Sequence, residues 1–199
     1  MKMPPATRDS GVEDSPLVEV MDHLGRVLAA VPATEVRRQQ LCHRSVAILL
    51  FDEAGRLFLR KRQSRRGQGP ERWDVPARSP VFSGESLLDA ATRALEATLG
   101  IHSERLRQVR VMEPSLENGN EFLHIFTLVR PEGSPGHGQQ PGQQNGNGHL
   151  NGQHDEAGGY FFGPEELGCL LRDFSELVSA RFLLLAQTLK LTKRERRPW

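Results

Sequence analysis

The chain has 199 residues, 26 Lys and Arg against 25 Asp and Glu, and a formal charge of +1. At roughly 150 residues per domain this is one domain with appendages, and the balanced charge makes no electrostatic case for nucleic-acid binding. Apolar residues make up 37% of the chain, too few for all of it to enter a core, and the longest apolar run, Val46 to Phe51, is far too short to span a membrane.

Residues 1–16 are polar, hold three prolines and have no apolar h-region, so they read as a disordered leader rather than a secretory signal. Leu17–Met21 and Val27–Val31 flank a His23–Arg26 turn and predict a hairpin. Pro32 to Glu35 opens a short helix through Leu41. Ser45–Asp52 is a buried strand, turned at Glu53–Gly55 into a partner over Arg56–Arg62. There Leu57, Leu59 and Lys61 share one face, and Phe58, Arg60 and Arg62 the other. A charged loop follows over Gln63–Glu71, then a short strand over Trp73–Ala77 whose proline marks an edge or bulge.

Ser83–Leu99 is the clearest helix, with Ser83 as N-cap, Glu85 in the first turn and Gly100 as the stop. At about 100° per residue, Leu88, Ala91, Leu95 and Leu99 form its core stripe. Val109–Met112 and Phe122–Val129 are two further strands. Residues 131–159 hold nine glycines, five glutamines, three asparagines and three histidines, and read as a disordered loop. Order resumes at Tyr160, followed by a helix started by Pro164 and an amphipathic one from Ser175 to about Leu191, before a basic KRERRPW tail. Cys42 and Cys169 cannot frame a disulfide scaffold or a four-cysteine zinc site, which suits a reduced, cytoplasmic protein.

One stretch carries the chemistry. Ser79, five residues, Glu85, seven residues and then Arg93-Ala94-Leu95-Glu96-Ala97-Thr98-Leu99-Gly100-Ile101 resembles the signature of the Nudix hydrolases. That signature reads Gly, five residues, Glu, seven residues, Arg-Glu-apolar-any-Glu-Glu-any-Gly-apolar. The flanks His43-Arg44, Leu59–Arg62, Pro70–Asp74 and Tyr160–Leu167 resemble the branch that includes isopentenyl diphosphate isomerase and its hydrolase relatives. The resemblance covers residues 17–199 apart from the insert. It implies an α/β domain: a Nudix-type α/β/α sandwich with a mixed sheet, an N-terminal hairpin extension and C-terminal helices. The ligand it implies is a small molecule containing a diphosphate.

Three departures change the expected chemistry. The family's metal-binding glutamates are replaced by Ala94, Ala97 and Thr98, and Ser79 stands in place of glycine. Mg²⁺ and Mn²⁺ are hard cations that need carboxylate oxygens, which two methyl groups and a hydroxyl do not supply. No catalytic or metal residue is therefore assigned on this helix. The retained box positions Glu85, Arg93 and Gly100 have structural uses: Glu85 at a helix N-terminus, and Arg93 as the i+4 partner of Asp89. The isomerases' reactive cysteine is also missing, since Asp74–Ser79 contains none.

Candidate phosphate-binding residues are His43, Arg44, Arg60 and Arg62, with Arg65, Arg66 and Arg72 beside them, because guanidinium forks suit diphosphates. The same residues also suit a solvated basic loop and a structural histidine. The expected function is a Nudix-family protein, impaired as a hydrolase, that binds a ligand or partner. Two alternatives remain. One is an active hydrolase whose Mg²⁺ or Mn²⁺ is held by displaced carboxylates, Glu113, Glu117 and Glu121. The other is a non-enzymatic interaction protein using the loop or the tail.

Overall fold

The structure, a computed structural model, describes residues 15–62, 70–130, 154–155 and 159–191. The predicted leader up to residue 14, Arg65 and Arg66, nearly all of the 131–159 insert, and the basic tail lie outside the described residues. Among the described residues no helix is long and apolar enough to cross a membrane.

The N-terminal hairpin forms from β1 (Leu17–Met21) and β2 (Val27–Pro32), with Gly25 at positive φ in its turn. Helix α1 (Ala33–Gln39) leads into β3 (His43–Asp52) and β4 (Leu57–Arg62). The strand expected over Trp73–Ala77 is two strands, β5 (Arg72–Asp74) and β6 (Ala77–Pro80). Strand β5 pairs with β4 whereas β6 pairs with β3, so Val75-Pro76 carries the chain between neighbours. Proline suits that step because it has no N–H to give a ladder.

Helix α2 (Leu87–Leu99) begins later than the sequence suggested. Ser86, not Ser83, is its N-cap, accepting from the Asp89 N–H at 3.1 Å. Gly84, at φ +78°, breaks the chain out of helical geometry, and Ser83 falls in the turn before it. Gly100 ends α2 in the left-handed conformation, as expected.

The buried stripe is also rotated. Ala90, Ala91, Ala94 and Leu95 are buried, while Leu88 is 46% exposed. Small side chains let this face approach the sheet closely, so the alanine row rather than Leu88 meets it.

The remaining elements are β7 (Arg107–Met112), β8 (Glu121–Arg130), β9 (His154–Asp155), β10 (Gly159–Phe162), α3 (Pro164–Asp173), a 3₁₀ turn at Ser175–Leu177, and α4 (Ala180–Leu189). Among the described residues ten strands join one hydrogen-bonded sheet. Strands β3 and β8 run parallel over their full length, from His43 beside Glu121 to Asp52 beside Arg130. The other strand pairs are antiparallel, so the sheet is mixed.

The β3–β4 hairpin pairs only at Phe51 and Leu57, and β4 then turns to β5 and β10. Gly159 permits the β10 contact: a Cβ there would lie 2.1 Å from Phe58 Cζ. Alternation along β3 builds two cores. Ala47, Leu49 and Phe51 pack with Leu167 of α3 and Phe182 of α4. Val46, Ile48 and Leu50 pack with Ala91 and Leu95 of α2. Helices thus cover both faces, giving the α/β/α sandwich.

Candidate functional site

A cavity of about 620 Å³ opens beside the start of β3, between α1, the first turn of α4 and strands β4–β6. Its charged lining is Arg37, Arg62, Arg72, Arg78 and Arg181 against Asp74 and Glu121, an excess of three positive charges. Each arginine comes from a different element, so only the tertiary fold gathers them.

The local causes are specific. The Ser179 N–H donates to the Trp73 carbonyl at 2.9 Å, while Ser179 Oγ accepts from the Phe182 N–H at 3.0 Å. These two bonds dock and cap α4 and hold Arg181 over the cavity. On β6, Ala77 packs into the α2-side core, which turns Arg78 to the opposite face.

Glu121 is the buried hub. The Asn118 side chain accepts from the Glu121 N–H at 3.0 Å and donates to the Glu121 carbonyl at 2.9 Å, fixing the entry to β8. Arg78 Nη2 donates to Glu121 Oε2 at 2.7 Å, and Ser45 Oγ donates to the same oxygen. Arg181 Nη1 lies 3.7 Å from Glu121 Oε1, an ion pair outside hydrogen-bond range. The Arg78 and Glu121 side chains are 10% and 8% exposed. Burial alone would raise the Glu121 pKa, but the Arg78 charge, the Ser45 hydrogen bond and nearby His43 outweigh it and lower it.

Positive crowding shows on the arginines as well. Burial pushes Arg62 down, Asp74 offsets this, and Arg60 and Arg78 add to it. Burial likewise lowers Arg181, with Arg78 and Arg37 adding repulsion against Glu121 and Asp74. Arginine stays charged under such shifts.

Of the candidates named from the sequence, His43 and Arg62 line the cavity. His43 is buried, with Nδ1 2.8 Å from the Leu41 carbonyl. Arg44, its neighbour on β3, points to the other face and pairs with Glu19. Arg60 donates instead to the Thr98 carbonyl at 3.0 Å, at the end of α2. Arg72 lines the cavity. The sequence reading missed Arg37, Arg78 and Arg181. For Arg181, the Ser179 cap was the one local sign of a helix start there.

The box loop is held by Arg93, whose partner is Glu85 rather than Asp89. Arg93 Nε and Nη2 donate to the two Glu85 oxygens at 2.7 and 2.8 Å. Arg93 also donates to Ser79 Oγ and to the Pro80 carbonyl, each at 3.0 Å. Its Cζ sits 3.7 Å from the centre of the Phe82 ring. Asp89 turns away to Ser86.

The three substituted metal positions do not fit a divalent cation. Ala94 is buried in the α2 core, Ala97 is an exposed methyl, and Thr98 Oγ1 donates back to the Ala94 carbonyl at 2.7 Å. Among the described residues no three His, Cys, Asp or Glu side chains come together to hold a metal. Of the displaced carboxylates, Glu121 lines the cavity, whereas Glu113 and Glu117 are exposed outside it. Both cysteines are free, and burial pushes the Cys42 thiol up, away from the reactive thiolate.

Comparisons with known proteins agree with this architecture. A Pseudomonas aeruginosa protein described as the uncharacterized Nudix hydrolase PA4841 is 37% identical over 95 residues, covering 48% of this chain and 56% of that one. An isopentenyl-diphosphate Delta-isomerase of Streptomyces avermitilis is 29% identical over 138 residues, 63% of this chain and 70% of that one. The chain spans about half the length of the hydrolases it matches. The crystal structure of DR0079 from Deinococcus radiodurans shares the fold, with a TM-score of 0.61 at 18% identity over 86% of this chain and 98% of that one. The NUDIX domain model matches residues 42–184, more than half of the chain, and the protein therefore belongs to the NUDIX domain family.

Proposed function

We propose that the arginine-lined cavity binds a small molecule containing a diphosphate, and that the metal-assisted hydrolysis of the family is impaired in this chain. The observation that carries this reading is the pairing of two features. Five arginines converge on one cavity, while the α2 positions that would hold Mg²⁺ or Mn²⁺ offer no carboxylate. Arginine forks bind phosphoryl oxygens in pairs, so binding survives where metal chemistry does not. His43 and Arg62 serve the cavity directly. Arg44 and Arg60 lie outside the cavity lining, paired with Glu19 and with the end of α2.

The reading through displaced carboxylates has Glu121 alone in its favour, and Arg78, Ser45 and Arg181 already engage both oxygens of that group. Calorimetric titration tests the binding half. Diphosphate-linked nucleotides, sugars and prenyl diphosphates are titrated into the full chain in the presence of chelator. One class binds the natural protein, and Arg72→Ala weakens it by about tenfold, in line with the loss of a charged contact. Binding that is indifferent to Arg72 would remove the cavity from the account.

A further inference from the structure

The cavity arginines differ in what already satisfies them. Arg78 donates through Nη2 to Glu121 at 2.7 Å, in a pair that is almost wholly buried. Arg62 donates to the Pro76 carbonyl. Arg37 and Arg72 are exposed at the rim. Arg181 lies between these groups: its side chain is 32% exposed, and Glu121 holds it only at 3.7 Å. Glu121 has its backbone fixed by Asn118 and its other oxygen fixed by Arg78 and Ser45, so it cannot follow a ligand outward. Arg181 is on a long side chain at the mouth and can.

We propose that Glu121 sets a charge threshold for the cavity, holding Arg181 back from ligands with one phosphoryl group and releasing it to ligands with two. This inference rests on the anion-binding reading above and adds a specificity-determining residue to it.

The physics is competition. A single phosphoryl group at the mouth must draw Arg181 from a fixed carboxylate while being repelled by that carboxylate. A diphosphate anchors one phosphoryl group on the rim arginines and brings a second, with more charge, to Arg181. Arg37 and Arg181 line the same cavity, so the added charge of a second phosphoryl group meets guanidinium groups from both α1 and α4.

Titration of inorganic pyrophosphate and of orthophosphate into the full chain, in chelator, tests this. The natural protein prefers pyrophosphate by at least about tenfold. Glu121→Gln keeps the shape and the Ser45 contact but removes the charge. It tightens orthophosphate more than pyrophosphate, so that the preference falls by about fivefold or more, as expected for the loss of one close charge. Arg181→Gln leaves the buried Arg78–Glu121 pair intact and serves should Glu121→Gln misfold. It weakens pyrophosphate to near the orthophosphate level and changes orthophosphate little.

An unchanged preference in Glu121→Gln, or an equal loss for both anions in Arg181→Gln, would overturn the threshold. So would equal affinity for the two anions in the natural protein, although anion binding itself would then stand. If neither anion nor any diphosphate-linked compound binds, the anion-binding reading falls and the threshold falls with it.

Discussion

Arg93 shows what a retained signature residue does where its helix neighbours are Ala94, Ala97 and Thr98. Its guanidinium spans Glu85, Ser79 and the Pro80 carbonyl and lies on the Phe82 ring. It ties the end of β6 and the turn after it to the helix, and Ser79 and Pro80 of β6 line the cavity. Charge-assisted hydrogen bonds of this kind contribute about 1.5–3 kcal/mol, and partial exposure of the pair puts this one at the lower end. Arg93→Gln should therefore destabilise the protein by about 1.5 kcal/mol in urea unfolding. A loss under about 0.5 kcal/mol would assign Arg93 to the solvated surface.

Glu121 makes a pH prediction. Its pKa in the folded chain lies below the ordinary 4.5, because Arg78, Ser45 and His43 outweigh burial. A depressed carboxylate pKa contributes stability above the unfolded value, and that stability is lost as pH falls through the folded value. Stability should thus decline below about pH 4.5, and Glu121→Gln should flatten that acid limb. An unchanged limb would mean that Glu121 is not ionised in the fold.

At this scale the sequence shows the Glu85-to-Arg93 spacing and Gly100. It does not show which acid Arg93 chooses: Asp89 is nearer along the helix, but it is taken by the Ser86 cap.

Helix α2 separates what periodicity reveals from what packing decides. Its existence, its length to Gly100 and its amphipathic character follow from the sequence. Its start does not, because Ser83 and Ser86 are equally good caps, and only Gly84 at positive φ separates them. Its stripe differs because Ala90 and Ala94 pack close to the sheet.

The two stripes predict different costs. Leu95→Ala, fully buried, should cost about 2–5 kcal/mol, and Leu88→Ala under about 1 kcal/mol. Chemical denaturation of both variants checks this, and equal costs would restore the stripe read from the wheel. The same packing affects any attempt to rebuild the metal site. Ala97 and Thr98 lie toward the surface and can accept glutamates, but Ala94→Glu would bury a carboxylate in the α2 core.

At the scale of the whole molecule, the alternating pattern of the strands and the family signature predict a sheet covered by helices on both faces. The arginine cavity is not legible in that pattern. An arginine on a short strand or in a first helical turn looks like surface charge until the fold closes. Arg37, Arg78 and Arg181 are far apart in the chain and meet only because β6 joins β3 and because Ser179 docks α4 on Trp73. By contrast, Arg44 and Arg60 sit in the stretches that resemble the family, yet they serve Glu19 and the end of α2. The chain keeps the family fold, carries Ala94, Ala97 and Thr98 on α2, and gathers five arginines at one cavity, which we propose to be the place for an anion.

The measurement that tests this most directly is the release of phosphate and pyrophosphate from diphosphate-linked nucleotides, sugars and prenyl diphosphates. It is made with Mg²⁺, with Mn²⁺ and with chelator, on the natural protein and on the Ala97→Glu, Thr98→Glu double variant. The natural protein should show no metal-dependent turnover on compounds that it binds, and the double variant should gain metal binding. Metal-dependent turnover by the natural protein, lost in Glu121→Gln, would contradict this and make Glu121 a working ligand of the cation.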